Sequence, residues 1–248
     1  MDEEIIIGRN PVMEALQTGR SINKVVISDQ LNNRTERELQ AATKKANTVL
    51  QKVPKQRLDQ LTKGRHQGII AYVTAYQYSD IDTILSVADK REEAPFIIIL
   101  DEIEDPHNLG AILRTADATG VHGVIIPKRR AVGLTEIVAK TSAGAIEHIP
   151  VARVTNIVKT IDELKKKNIW IVGTDEVGSK DYRSLDGETS IALVIGNEGK
   201  GISRLVKEKC DWTIHIPMKG SIPSLNASVA TGLLMYEIYR KRNLSGED

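Results

Sequence analysis

One cysteine, Cys210, is all the thiol this 248-residue chain contains, so no internal disulfide can form, as suits a reducing compartment. The five histidines (His66, His107, His122, His148, His215) are scattered, and no CxxC or HxxxH spacing offers a metal its ligands. No bound metal is expected. No apolar run approaches the roughly 18–20 residues of a membrane span. Met1-Asp2-Glu3-Glu4 is acidic where a signal peptide would be basic and then apolar. These absences point to a cytoplasmic protein with no membrane partner. Internal repeats and low-complexity tracts are also lacking. What remains is ordinary for a globular protein, 41% hydrophobic and 27% charged.

The net charge of +1 conceals an asymmetry. Residues 1–76 carry 12 Lys/Arg against 8 Asp/Glu, whereas the remaining residues carry 22 against 25. Within 34–67 the ratio is 9 to 3, from Arg34, Arg37, Lys44, Lys45, Lys52, Lys55, Arg57, Lys63 and Arg65. Such a segment could track a phosphate backbone or be a solvated helix face with surplus lysines.

The chain divides into two blocks. In 1–76, strand-like segments at 4–8, 24–29 and 68–73 alternate with helix-like ones at 11–18 and 34–46, the first starting at Pro11 and stopping at Gly19. This is a small α/β unit. Residues 77–94, with a possible short helix at 80–90 and the charged run Lys90-Arg91-Glu92-Glu93, read as a linker. The block 95–248 opens on Phe96-Ile97-Ile98-Ile99-Leu100, an apolar run typical of a strand covered on both faces. Similar runs at 123–127, 169–173, 191–195 and 212–217 alternate with helical stretches at 109–118, 135–143, 157–167 and 202–209. The expectation is an α/β fold, a mostly parallel sheet with helices on both faces.

In such a sheet, ligands bind beyond the carboxyl ends of the strands, so three strand-to-helix junctions matter. In the first, Asp105-Pro106-His107-Asn108-Leu109-Gly110-Ala111-Ile112-Leu113-Arg114-Thr115-Ala116, Asn108 suits a helix N-cap. Arg114 lies off the apolar stripe of Leu109, Ile112, Leu113 and Ala116, and so faces solvent, a ligand or a partner chain. The second, Gly196-Asn197-Glu198-Gly199-Lys200-Gly201, permits close backbone approach to a ligand or is simply a tight turn. It is neither a P-loop nor a GxGxxG fingerprint, which leaves a nucleotide-dependent oxidoreductase unsupported. The third, Ile216-Pro217-Met218-Lys219-Gly220-Ser221-Ile222-Pro223-Ser224-Leu225-Asn226-Ala227-Ser228, is stiffened by two prolines, and Ser224 or Asn226 could cap the next helix. That helix, 227–242, is apolar almost all round to Tyr236, which implies cover by a second subunit or by one enclosing core.

Together the three junctions resemble the motifs of the SpoU/TrmH branch of the SPOUT RNA methyltransferases, in order and over about 125 residues. Gly8-Arg9-Asn10-Pro11-Val12-Met13-Glu14-Ala15-Leu16 and His66-Gln67-Gly68-Ile69 resemble that family's small L30-like RNA-binding domain. Within the family the RlmB-like group, acting on a guanosine ribose of 23S rRNA, is the nearest match, and tRNA-modifying relatives are the alternative. The resemblance implies a C-terminal SPOUT domain (95–248) with a trefoil knot, an N-terminal RNA-binding domain (1–76), an obligate homodimer, and S-adenosylmethionine as methyl donor. It also implies that Gly196, Ile216 and Leu225 hold the cofactor, with Thr174, Met218 and Ser228 close by, and that Arg114, Asn108, Glu198, Ser224 and Asn226 line the transfer site.

Transfer of a methyl group to a 2′-hydroxyl needs alignment and loss of one proton, with no covalent enzyme intermediate. Cys210 lies outside all three motifs, which argues against cysteine-dependent methylation of a base carbon. The family proposal makes the Arg114-equivalent arginine a general base. A guanidinium hardly ever gives up its proton, so a phosphate clamp that also stabilises the developing oxyanion is physically easier. Glu198 could then accept the proton or hold Arg114 in place. A non-enzymatic ribosome-assembly factor on the same fold is the competing reading, and the intact Asn108, Arg114, Asn197, Glu198 and Asn226 set argues against it.

Overall fold

The computed structural model describes residues 5–73, 76–175, 180–221 and 224–243, in two compact units. The first comprises Met1–Gln77 with the short segment Gly133–Glu136. Its sheet has the order β1-β4-β2-β3, from β1 (Ile5–Ile7), β2 (Ile22–Ser28), β3 (Val49–Val53) and β4 (Ile69–Val73). Only the β2–β3 pair is parallel. The helices are α1 (Arg9–Gln17), α2 (Asn33–Lys45) and α3 (Lys55–Leu61). Val12, Leu16 and Leu39 pack against Val25, Ile27, Ile69 and Ala71 on one face of the sheet, and Leu58 packs against Val26, Val53 and Ile70 on the other. Neither β3 nor α3 was expected from the sequence. As the edge strand, β3 exposes Gln51 and Lys52, which blurs its apolar pattern. The helix α1 begins two residues ahead of Pro11.

The second unit comprises Tyr78–Val132 and Ile137–Asp248. Seven parallel strands follow the order β7-β6-β5-β10-β8-β11-β9. They are β5 (Phe96–Leu100), β6 (Gly123–Pro127), β7 (Val151–Val154), β8 (Trp170–Thr174), β9 (Lys180–Asp181), β10 (Ile191–Ile195) and β11 (Trp212–His215). The central β5 is fully buried along its whole length, as its unbroken apolar run requires. Around the sheet lie α4 (Ile81–Arg91), α5 (Pro106–Ala118), α6 (Glu136–Thr141), α7 (Ile157–Lys165), α8 (Arg204–Lys207) and α9 (Ala227–Arg242).

Residues 77–94 do more than link. Asp80 caps α4 by accepting from Thr83 N at 2.7 Å, and Ile84 and Ala88 are buried in the second unit's core. Ile84 fills the space over Gly123, where an added Cβ would sit 2.5 Å from its side chain. The helix α9 also departs from expectation. Ala227, Thr231, Leu234, Met235 and Ile238 are buried, while Val229, Leu233 and Tyr236 stand 52%, 44% and 52% exposed. One enclosing core therefore does not cover this helix. No described helix is long and apolar enough to cross a membrane.

His122 is fully buried between α5 and β6. Its Nδ1 accepts from Phe96 N at 2.8 Å, and its Nε2 lies 2.9 Å from Glu93 Oε2. Burial pushes the imidazole below its ordinary range, against the pull of Glu93. A depressed folded pKa means that the unfolded chain takes up the proton first as pH falls. This contribution to stability is complete above about pH 6.5 and declines below it. The melting temperature should accordingly drop between pH 7 and pH 5.5, and should drop less in His122→Gln. Parallel pH profiles for the two proteins would show that His122 plays no such part.

Candidate functional site

The three junctions meet at the carboxyl ends of β5, β10 and β11. After β5, the Asp101 carboxylate is buried and accepts from Ser203 N at 2.8 Å. Glu102 then takes a left-handed backbone conformation (φ 61°). The N-cap of α5 is Asp105, which accepts from His107 N at 2.9 Å, with Pro106 at the first helical position. Asn108 is not the cap, as the sequence suggested. It lies in the first turn, 7% exposed, with its amide free to reach across the site.

After β10 the chain closes on itself. Asn197 and Gly201 exchange two backbone hydrogen bonds of 3.1 and 2.8 Å. A Cβ on Gly196 would lie 2.1 Å from the Gly201 carbonyl carbon, so only glycine fits. Gly201 itself has φ +67°. Asn197 Oδ1 accepts from Gly199 N at 3.0 Å, and its Nδ2 donates to Glu102 O at 3.1 Å, tying the first junction to the second. Before α9, Asn226 Oδ1 accepts from Ser228 N, Ser228 Oγ and Val229 N at 2.9, 2.6 and 3.3 Å. Asn226, not Ser224, is thus the N-cap.

Glu198 Oε1 draws the three segments together. It accepts from Asn108 Nδ2 at 2.8 Å, Asn226 Nδ2 at 2.7 Å and Ala227 N at 3.1 Å. Asn226 Nδ2 also donates to Asn108 Oδ1 at 3.0 Å. Arg114 takes no part. It is exposed on α5 and has neither hydrogen bond nor ion pair among the described residues, so Glu198 does not hold it.

Beside this knot of bonds lies a cavity of about 710 Å³, within the range that encloses a small organic ligand. Of the residues expected to hold a cofactor, Gly196, Ile216, Leu225, Thr174 and Met218 line it, and Ser224 does so too. Ser228 is not on the wall, and its hydroxyl donates to the Asn226 cap. Asn108, Arg114 and Asn226 are also off the wall, whereas Glu198 is on it. Sequence reasoning missed Asp175, Lys200, Lys207 and His215, which add charged and polar groups to the lining. Lys207 is ion-paired with Asp175. Asp175 and His215 fall at strand ends and Lys207 in α8, where no motif marks them, while Lys200 lies inside the glycine-rich junction without having been singled out. Cys210 is set apart. Its Sγ packs against Gly173 and donates to Val206 O at 3.4 Å, and burial pushes the thiol up to about 11, so it is no nucleophile at neutral pH.

On the first unit, Arg37, Lys44, Lys45, Lys55, Arg57, Lys63 and Arg65 are exposed, with no ion pair among the described residues. Arg34 and Lys52 pair with Glu38 and Glu36.

Comparison with known proteins accords with this layout. Residues 95–236 match the SpoU rRNA Methylase family, and residues 5–79 match the domain described as RNA 2′-O ribose methyltransferase substrate binding. A Bacillus subtilis protein, YacO, named for the TrmH family of tRNA/rRNA methyltransferases, is 54% identical over 98% of both chains. A Staphylococcus aureus protein named for the same family is 52% identical over the whole of both chains. Among solved structures, the SpoU methyltransferase AviRb of Streptomyces viridochromogenes, crystallised with the cofactor AdoMet, superposes with a TM-score of 0.62. It is 28% identical over 98% of this chain and 91% of that one.

Replacing Asn226 separates its two jobs. Asn226→Ala should cost about 2–4 kcal/mol, from a lost cap and lost charge-assisted bonds. Asn226→Asp keeps a good cap but sets a second carboxylate against Glu198, and should still cost about 1–3 kcal/mol. Urea denaturation measures both, and a neutral Asn226→Asp would mean that the bonds to Glu198 contribute nothing.

Proposed function

We propose, from the premise that this chain belongs to the SpoU rRNA methylase family, that it transfers a methyl group from S-adenosylmethionine to a ribose 2′-hydroxyl of RNA in the cytoplasm. A guanosine of 23S rRNA is the substrate favoured by the RlmB-like motifs, and a tRNA ribose is the alternative. The observation that carries the reading is the convergence of Asn108, Asn226 and the Ala227 amide on one oxygen of Glu198 beside a glycine-walled cavity.

The residues present fit the cofactor. Gly196 leaves backbone bare where a Cβ could not stand, and Ile195, Ile202, Ile214, Ile216, Leu225 and Leu234 give apolar walls. When bound, the sulfonium supplies an electrophilic methyl group and no more. The protein must orient the hydroxyl and manage its charge. Arg114, exposed and uncommitted, supplies a fixed positive charge for the RNA phosphate and for the oxyanion that develops at the ribose. Glu198 Oε2, without a partner among the described residues, is the acceptor for the departing proton, while Oε1 keeps the junctions in register. The reading includes the trefoil knot of the last two junctions and the RNA-gripping role of the basic first unit.

Arg114→Ala should keep cofactor affinity, measured by calorimetry, and lose methyl transfer to RNA by about 10²–10³-fold, measured with labelled cofactor. Loss of both together would make Arg114 structural. Mapping the protected riboses in total RNA then identifies the substrate.

The reading also includes a homodimer. Val229, Leu233 and Tyr236 recur at helical spacing on the open side of α9 and form an uncovered apolar stripe next to the cavity residue Ala230. Leu233→Glu should halve the mass observed by sedimentation. A monomeric parent protein would remove this part of the proposal.

A further inference from the structure

We propose that Lys128 and Arg153 form a second anchor for the substrate RNA, a site for one backbone phosphate flanking the nucleotide that is methylated. The inference rests on the RNA methyltransferase reading above. β6 and β7 run side by side at one edge of the second unit's sheet, with Ile126 opposite Arg153 and Pro127 opposite Val154. Lys128 lies two residues beyond Ile126 and therefore on the same side of the sheet as Arg153. The ladder continues to it, Lys128 N donating to Val154 O at 2.8 Å. The guanidinium of Arg153 lies 5.1 Å from the ring centre of Tyr78, and its Nη2 donates to Lys128 O at 3.3 Å.

Two like charges are thus brought together at the ends of adjacent strands, both partly withdrawn from water. Burial first, then repulsion from Arg153, pushes the Lys128 ammonium below its ordinary range, and burial does the same to Arg153. Lys128 has no carboxylate partner among the described residues. An anion beside the pair would relieve the repulsion, and a phosphate suits it because its oxygens can take the Lys128 ammonium while Arg153, kept on Tyr78 and Lys128 O, adds its charge alongside.

The position suits RNA in particular. Lys128 and Arg153 lie at the carboxyl edge of the same parallel sheet as the cavity. At roughly 4.8 Å per strand, β6 and β7 are about 10–15 Å from β10. The spacing is held. Arg130 Nη1 pairs with Glu102 at 2.9 Å, Val132 N donates to Ile103 O at 3.0 Å, and Glu102 O accepts from Asn197 in the glycine loop. A strand with one ribose at the cavity would lay a nearby phosphate on the pair.

The test titrates the full-length protein with labelled poly(U) and with a 23S rRNA transcript across a salt series. A backbone contact acts on any sequence, so poly(U) reports it whatever the natural target. One lost phosphate contact should flatten the log–log salt dependence by about 0.7–1 in Lys128→Gln. It should also weaken binding about fivefold near 0.1 M salt. Cofactor affinity and melting temperature should not change, and Lys128→Arg should restore the slope. An unchanged slope and affinity in Lys128→Gln overturn the site and leave the methyl-transfer reading intact. Wild-type protein that binds neither RNA nor S-adenosylmethionine fails that reading first. Inorganic phosphate that stabilises wild type but not Lys128→Gln, with the RNA slope unchanged, would assign the pair to a free anion and also overturn the proposal.

Discussion

A single carboxylate oxygen holds the site in register. Glu198 Oε1 receives donors from the first turn of α5, from the side chain that caps α9 and from the first backbone amide of α9. The segments lie 90 and 28 residues away along the chain, and no secondary-structure ladder joins the three. Each bond to a charged acceptor contributes at most about 1.5–3 kcal/mol, and less at Glu198 because water reaches it. The negative charge also sits at the positive end of a sixteen-residue helix, where it is favoured twice over. Removing the carboxylate would strand the nearly buried amide of Asn108, so the cost would exceed the loss of one contact.

Arg114 stands apart from these bonds. An arginine beside a free carboxylate pairs with it and is spent. Here Oε1 is saturated by neutral donors, and the cavity's other carboxylate, Asp175, is paired with Lys207. Arg114 is exposed on α5 and has no ion pair among the described residues. The left-handed Glu102 ties the first junction to the second, its carbonyl accepting from Asn197 while its side chain turns away to Arg130.

Much of this was legible in the chain before folding, for a physical reason. β5, β6 and β10 are buried on both faces, so their apolar runs coincide with the strands to the residue. Edge strands and very short ones were invisible: β3 exposes Gln51 and Lys52, β7 closes the other sheet at its edge, and β9 has two residues. The junctions stood out because glycine and proline mark unusual backbone. What those junctions do to one another was not legible, since the Asn108–Glu198–Asn226 triangle has no period in sequence. Asn108 was misread as a cap because Asn suits that position, whereas Asp105 with Pro106 behind it suits it better. The apolar character of α9 was plain, but only the folded chain shows which third of it is left uncovered.

The cavity wall and the charges around it obey different constraints. Gly196 is irreplaceable because a backbone stands 2.1 Å from where its side chain would begin, and no change elsewhere short of moving the loop relieves that. The walls beside it need only be apolar and of similar volume, so isoleucine and leucine there can exchange at modest cost. Charges that meet a nucleic acid are held more loosely still, because a phosphate contact tolerates displacement along a flexible side chain. A site built this way fixes its geometry at a few backbone-dictated positions and leaves the rest adjustable. Side chains on the rim can therefore change while the bonds that Glu198 organises stay where they are.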